Sequence, residues 1–173
     1  DSIWAEQGAV IEHGASVEGR LVIGRGSVVK RNAVLRGDNI IGRDCLVGNF
    51  TEVKNCLFFD GVQMPHFSYA GDSVLGYKAH LGAGAKISNF KSDGSPVDLS
   101  FSDGRLKFGA EKFGAVLGDR VEVGCNAVLN PGTLIGMDTV VYPLVSVRGA
   151  VPPRVIVKNG GLVAVRDTER SND

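Results

Sequence analysis

One aliphatic residue recurs at every sixth position along most of this chain, and few folds accommodate that period. Stepping by six from Ile11 gives Val17, Ile23, Val29, Leu35, Ile41, Val47 and Val53. The step resumes at Leu75, Leu81 and Ile87, and again from Leu117 through Val123, Leu129, Ile135 and Val141 to Val147. The next position is Gly in eight of these seventeen hexads, Gly42, Gly48, Gly118 and Gly124 among them. The fifth is mostly small or β-branched, as at Ala15, Ser27, Ala33, Thr51, Ala127 and Thr133. An amphipathic helix repeats near 3.6 residues and a lone strand near 2, so neither alone explains six. A short strand followed by a tight turn does. Three such units close a triangular coil of eighteen residues, and successive coils stack about 4.8 Å apart. The aliphatic and fifth-position residues then point inward in columns, and each coil buries its neighbours.

Composition agrees with one all-β domain. The 173 residues suffice for a single core, and the 24 glycines favour turns over helices. Nineteen basic residues balance nineteen acidic ones, so no overall field attracts nucleic acid or an anionic membrane. Three cysteines, Cys45, Cys56 and Cys125, lack CxxC spacing, which fits a reducing, cytoplasmic setting better than a disulfide framework. No apolar run reaches membrane-spanning length and no signal peptide is evident. The chain begins at Asp1, so further sequence on its N-terminal side is expected.

The repeat breaks twice. Between Val53 and Leu75 its phase slips, around Phe58, Phe59, Met64, Pro65 and His66. From about 90 to 114 it gives way to a Gly/Ser/Asp/Lys-rich stretch with turn signals at Asp93-Gly94 and Asp103-Gly104. That stretch reads as an inserted loop carrying a hairpin, of the kind that covers a site or reaches a neighbouring subunit. The expected organisation is a solenoid over 1–152 with this insertion, then a C-terminal strand and tail over 153–173. A strand is expected near 154–157 and disorder from Arg166.

Few residues suit chemistry. Of the histidines, His13 falls on a coil exterior and far from the others, and no HxxxxH spacing exists. A three-imidazole zinc site, as in a lyase, is therefore not expected. His66, at the first repeat break, is either a polar residue in a surface bulge or a general base titrating near neutrality. His80 takes an outward hexad position, lining the same cleft or simply wet. Arg36 and Lys54 stand one coil apart on one edge of the prism, as a phosphate clamp or as two solvated cations. Gly82-Ala83-Gly84 lacks the strand–helix setting of a dinucleotide loop. Cys45 fills an inward position, and Cys125 points outward with no base in sequence reach.

Residues 66–90, HFSYAGDSVLGYKAHLGAGAKISNF, resemble the acetyltransferase domain of glucosamine-1-phosphate acetyltransferase/N-acetylglucosamine-1-phosphate uridylyltransferase. They resemble still more the C-terminal domain of related sugar-1-phosphate nucleotidylyltransferases, which share PHxSYxGDS (from Pro65), a long insertion and a GAxxGD segment (from Gly114). The likeness runs from about Leu35 to Val151. It implies a left-handed parallel β-helix, assembled as a homotrimer with active sites between subunits. It implies an acetyl-coenzyme A-dependent N-acetyltransferase acting on a small amino-sugar phosphate, with no metal needed for the transfer. By this resemblance His66 is the catalytic base, Arg36 and Lys54 hold the sugar phosphate, and Tyr69 and Asn89 contact the substrate. Cys125, Tyr142 and Pro143 face the coenzyme, Lys158 meets its phosphate, and a backbone N–H of the turn near Tyr142 is the expected oxyanion donor. Three positions depart from the pattern: His80 replaces an asparagine, Phe90 a tyrosine and Ser95 a lysine, leaving Lys91 as the nearby cation. The glycine-rich loop and metal-binding aspartates of a uridylyltransferase domain have no counterpart here. A non-catalytic module for trimerisation or regulation is the alternative.

Overall fold

The structure, a computed structural model, describes residues 2–101, 104–159, 161 and 163–165. It is a left-handed parallel β-helix of triangular section. The first face carries the opening halves of Ser16–Ile23 and Val34–Ile41, then Glu52–Lys54, Tyr69–Gly71, Lys86–Ile87, Val128–Leu129 and Ser146–Val147. The second takes Ser2–Ala5, the closing halves of those two long strands, Leu57–Phe58, Val74–Leu75, Ala115–Leu117, Thr133–Ile135 and Ala150–Val151. Because Ser16–Ile23 and Val34–Ile41 run unbroken through a corner, these two faces form one 13-stranded sheet. The third face is a nine-stranded sheet from Val10–Ile11 to Val163–Val165, and it includes Leu46–Asn49, Gln63–His66, His80–Leu81, Glu122–Val123 and Val140–Val141.

Strands this short hold together only because every coil presents the same aliphatic residue to the one above. Leu35 sits over Val53, Val47 over Met64 and Leu81 over Val123; each of these is at most 3% exposed, so the columns form one dry core. The fifth-position residues complete it. Ser27, Thr51 and Thr133 are fully buried, and their hydroxyls donate to the carbonyls of Gly42, Met64 and Asn130, which removes the penalty of an unpaired buried group.

The phase slip leaves the core intact. Val53 to Phe58 and Ala70 to Leu75 are steps of five, one above the other, at the corner between the first and second faces. Omitting one residue from the same corner in consecutive coils keeps the strands in register. Phe58, Met64 and Ala70 therefore continue the buried columns although counting by six passes over them. The shortened corners turn through Asn55 and Asp72 in the left-handed region, at φ 51° and 48°, a conformation that Asn and Asp tolerate better than most side chains. His66 consequently ends a regular strand rather than sitting in a bulge.

The insertion leaves the same corner one coil later. Its ends are tied by Phe113 N–H donating to the Asn89 carbonyl (2.9 Å) and Gly114 N–H to the Asp72 carbonyl (2.9 Å). Within it Val97–Phe101 and Gly104–Ala110 pair as an antiparallel ribbon. The ribbon bends toward the C-terminal coils, burying Val97 and bringing the Asp98 carbonyl against Gly132. Val155–Val157, assigned from sequence to a segment beyond the solenoid, pairs in parallel with Val140–Val141 and extends the third face. The corner through Arg148-Gly149 is two residues short, Val147 to Val151 being a step of four, so the six-residue count ends before the parallel pairing does. Asp103 of the second turn signal and the tail from Arg166 lie outside the described residues. Among the described residues no helix is long and apolar enough to cross a membrane.

Candidate active site

The corner between the third and first faces follows each inward residue of the third face by two positions. In register it carries Asn49, His66, Ala83, Cys125 and Pro143. Backbone bonds lace the column together: Phe67 N–H to Asn49 (3.0 Å), Gly84 N–H to His66 (3.2 Å), Asn126 N–H to Ala83 (2.9 Å) and Leu144 N–H to Cys125 (3.0 Å). His66 is exposed, and its ring has no hydrogen-bond partner among the described residues. The Ser68 hydroxyl instead donates to its carbonyl (2.9 Å), which fixes the backbone of the turn. Cys125 lies two coils further on, about 10 Å along the axis at the usual strand spacing.

Beside this corner the third face is hollowed into a groove of about 420 Å³. Gly82 and Gly124 form a side-chain-free floor, with His80, Cys125, Tyr142 and Pro143 around it. A Cβ on Gly124 would come within 2.5 Å of the Pro143 nitrogen, so backbone approaches backbone there. Lys158, one coil beyond Tyr142, holds its ammonium 5.0 Å from the centre of that ring. The turn at Tyr142 offers no oxyanion donor. Tyr142 N–H bonds Val157, Leu144 N–H bonds Cys125, and Pro143 has no N–H. On this corner the N–H groups of Ala83 and Cys125, which lie outside the strands, meet no backbone acceptor among the described residues.

On the first face Arg36 and Lys54 are direct register partners, one coil apart. Arg36 Nε also donates to Glu52 Oε1 at 2.6 Å, so one of the two cations already carries a counter-charge. Tyr69 lies across Gly71, its hydroxyl donating to Asn89 Oδ1 at 3.3 Å; a Cβ on Gly71 would come within 2.5 Å of that hydroxyl. The Asn89 amide donates to Asp72, and the Asn55 amide donates to the other Asp72 oxygen at 2.9 Å. Burial pushes the Tyr69 phenol up from its usual range, and nearby Glu52 adds to the shift. Tyr69 thus spans from the His66 corner to the Asn89 corner. Lys91 is brought to Ser95, its ammonium 3.4 Å from the hydroxyl and 2.6 Å from the Pro96 carbonyl. His13 lies on the His66 corner three coils away. No group of three metal-capable side chains occurs among the described residues.

One pair was not foreseen from sequence. His80 Nδ1 lies 2.8 Å from Glu122 Oε2, the two being register partners forty-two residues apart across the insertion. The bond to Glu122 raises the His80 pKa, against the smaller opposing effect of burial. A proton held more tightly in the folded chain stabilises it fully below the ordinary value of 6.5, and that contribution fades as pH rises through the raised folded value. Glu122→Gln should therefore melt below the wild type at pH 6 and converge with it by pH 9. For so exposed a pair the gap is under about 1 kcal/mol. Thermal unfolding at the two pH values checks this.

The cysteines differ in the same legible way. Cys56 is buried and its thiol pushed up to about 12, Cys45 is buried and also raised, while Cys125 is exposed at the groove. Since the thiolate is the nucleophile, iodoacetamide at pH 8 is expected to label Cys125 alone in the native protein and all three in denaturant, as read by mass spectrometry.

Comparison with known proteins matches this architecture to one family model, the GMPPB C-terminal domain, over residues 17–141. The bifunctional protein GlmU of Methanococcus vannielii is 35% identical over 98 residues, covering 57% of this chain and 23% of that protein. A bifunctional sugar-1-phosphate nucleotidylyltransferase/acetyltransferase of Sulfurisphaera tokodaii is 36% identical over 97 residues, covering 56% and 24%. The chain thus spans about a quarter of the length of these curated relatives. Among solved structures, a hexapeptide transferase family protein from Anaplasma phagocytophilum superposes with a TM-score of 0.63 at 16% identity, over 96% of this chain and 80% of that one. With residues 17–141 matched, most of its length, the chain belongs to the GMPPB C-terminal domain family.

Proposed function

We propose that this chain transfers the acetyl group of acetyl-coenzyme A to the amino group of an amino-sugar phosphate such as glucosamine-1-phosphate. One juxtaposition carries the reading. The His66 imidazole shares a corner with the Cys125–Pro143 groove, and Tyr69 reaches from that corner toward Asn89 on the face that bears Arg36 and Lys54. Names among the relatives point the same way, one being a nucleotidylyltransferase/acetyltransferase.

In this reading Arg36 and Lys54 hold the phosphate, while the Tyr69 hydroxyl and Asn89 amide orient the sugar. His66 takes a proton from the attacking amine, the part an imidazole plays as general base. The coenzyme lies along the glycine floor past Cys125, Tyr142 and Pro143 toward Lys158. The N–H of Ala83 or Cys125 replaces the Tyr142 turn as donor to the developing oxyanion, a contribution of about 2.7–4 kcal/mol where such a donor is in place. No metal is required for these steps. Three copies closing as a cyclic homotrimer would set the corner of one prism against its neighbour and complete the site.

The test is release of free thiol from acetyl-coenzyme A in the presence of a panel of amino-sugar phosphates. Thiol release with at least one acceptor is expected; none with any acceptor would remove the reading. The Glu52 carboxylate on Arg36 favours a second one, a non-catalytic module that holds copies or domains together. A stable oligomer that shows no coenzyme A binding by calorimetry would select it. Under the transferase reading coenzyme A binds and protects Cys125 from iodoacetamide.

A further inference from the structure

We infer that His80, held by Glu122, is the general acid that protonates the departing thiolate of the acyl donor. This rests on the acetyl-transfer reading and adds a second imidazole to it. His80 stands three residues before Ala83 along its coil, whereas His66 stands one coil before Ala83 on the corner itself. The two residues thus flank the same stretch of corner, His66 on the corner itself and His80 in the lining of the groove. Unlike His66, His80 is oriented by a third group. Its Nδ1 is taken by Glu122 at 2.8 Å, leaving Nε2 as the nitrogen that can serve the groove. A base or acid keyed by a carboxylate in this way is the arrangement that fixes tautomer and direction in acid–base catalysis.

The groove suits a long thioester with its sulfur at the His80 end. Gly82 and Gly124 leave room for an unbranched chain, the wall at Val140 is apolar, and Lys158 places a cation at the far end. The step balances. The amine nitrogen bonds to the acyl carbon as the carbon–sulfur bond breaks; the amine proton passes to His66, and the sulfur takes the proton of His80. Solvent then removes the proton from His66 and restores the one on His80. The charged group facing His80 is Glu122, from the strand on one side. The strand on the other side presents Gln63, a neutral amide donating to the carbonyls of Asp44 and Gly61. Glu122 also holds His80 protonated further into the neutral range, as a general acid requires.

Two acyl donors separate this role from a structural one. Acetyl-coenzyme A leaves as an alkyl thiolate that benefits from protonation; the acetyl thioester of thionitrobenzoate leaves as a stable aryl thiolate that does not. His80→Asn is expected to lower turnover of acetyl-coenzyme A by about 10²-fold and to leave turnover of the aryl thioester within about threefold of wild type. It should also remove the basic limb of the pH–rate profile, a limb that Glu122→Gln shifts to lower pH. Circular dichroism, with His80→Gln as a second variant, checks that the fold is kept. Equal activity of His80→Asn and wild type with acetyl-coenzyme A overturns the proposal alone, as does an equal loss with both donors. A wild type that turns over neither donor overturns the acetyl-transfer reading, and this proposal with it.

Discussion

Gly48→Ala is expected to lower the melting temperature by about 6–12 °C. Gly48 is the register partner of Pro65, and a Cβ on it would fall 1.7 Å from the Pro65 carbonyl oxygen and 2.1 Å from its carbon. Backbone, unlike the end of a flexible side chain, cannot step aside. The methyl group must force the Leu46–Asn49 and Gln63–His66 strands apart in a stack where every coil is pinned between two others. Overpacking of this kind costs about 1–3 kcal/mol, and contact with backbone argues for the upper end. In a domain of this size each kcal/mol is worth about 2–4 °C. The shift also displaces His66, the residue after Pro65, so activity should fall together with stability. Gly104→Ala is the control: nothing lies within 4 Å of its Cβ position, and a change within about 0.5 kcal/mol is expected. Equal melting of the Gly48 and Gly104 variants would show that the coils are looser than their register implies.

His66→Ala should reduce the turnover number by about 10²–10⁴-fold, the usual contribution of a positioned base. The side chain is exposed, and its ring has no hydrogen-bond partner among the described residues, so the same change should leave thermal stability almost untouched. Coenzyme A affinity should also persist, since the groove begins one coil further on, at His80 and Gly82, and His66 does not line it. This combination of lost turnover with kept fold and kept coenzyme binding separates a base from a residue that shapes the corner. His66→Asn, which preserves polarity without basicity, should behave like the alanine variant. Full activity in either would falsify the assignment of His66 as base.

Much of the scaffold is legible in the sequence because each coil must put an aliphatic residue over the last one. Leu117, Val123 and Leu129 could be placed on three faces by counting alone, and Arg36 over Lys54 by the eighteen-residue coil. Counting failed where the corner lost a residue. Phe58, Met64 and Ala70 are as apolar as the column demands, but the step of five from Val53 shifts their phase by one, and only a second omission at the same corner, from Ala70 to Leu75, keeps the coils in register. The Glu52 carboxylate on Arg36 was hidden for a related reason: it lies sixteen residues further along the chain yet beside Arg36 across the ladder. His80 and Glu122 were harder still. Their forty-two-residue separation becomes a coil register only after the inserted residues are subtracted, and no local motif marks either one. The backbone donors near Tyr142 could not be judged from sequence, because whether an N–H is occupied depends on which carbonyl the next coil brings to it.

The ribbon inserted after Asn89 separates strands that would otherwise be one coil apart, so that Leu75 meets Leu117 and Ile87 meets Leu129 across forty-two residues rather than eighteen. Chain statistics make that detour cheap, since a little over one doubling of length costs about 0.7 kcal/mol in closure entropy. Length at this one exit is therefore nearly neutral for the rest of the solenoid. Away from Val97 and Asp98, which pack on the coils, residues can be added, removed or exchanged there with little change to the folding above and below. Sequence change can act on that stretch as an independent variable while the rungs beneath it stay constant.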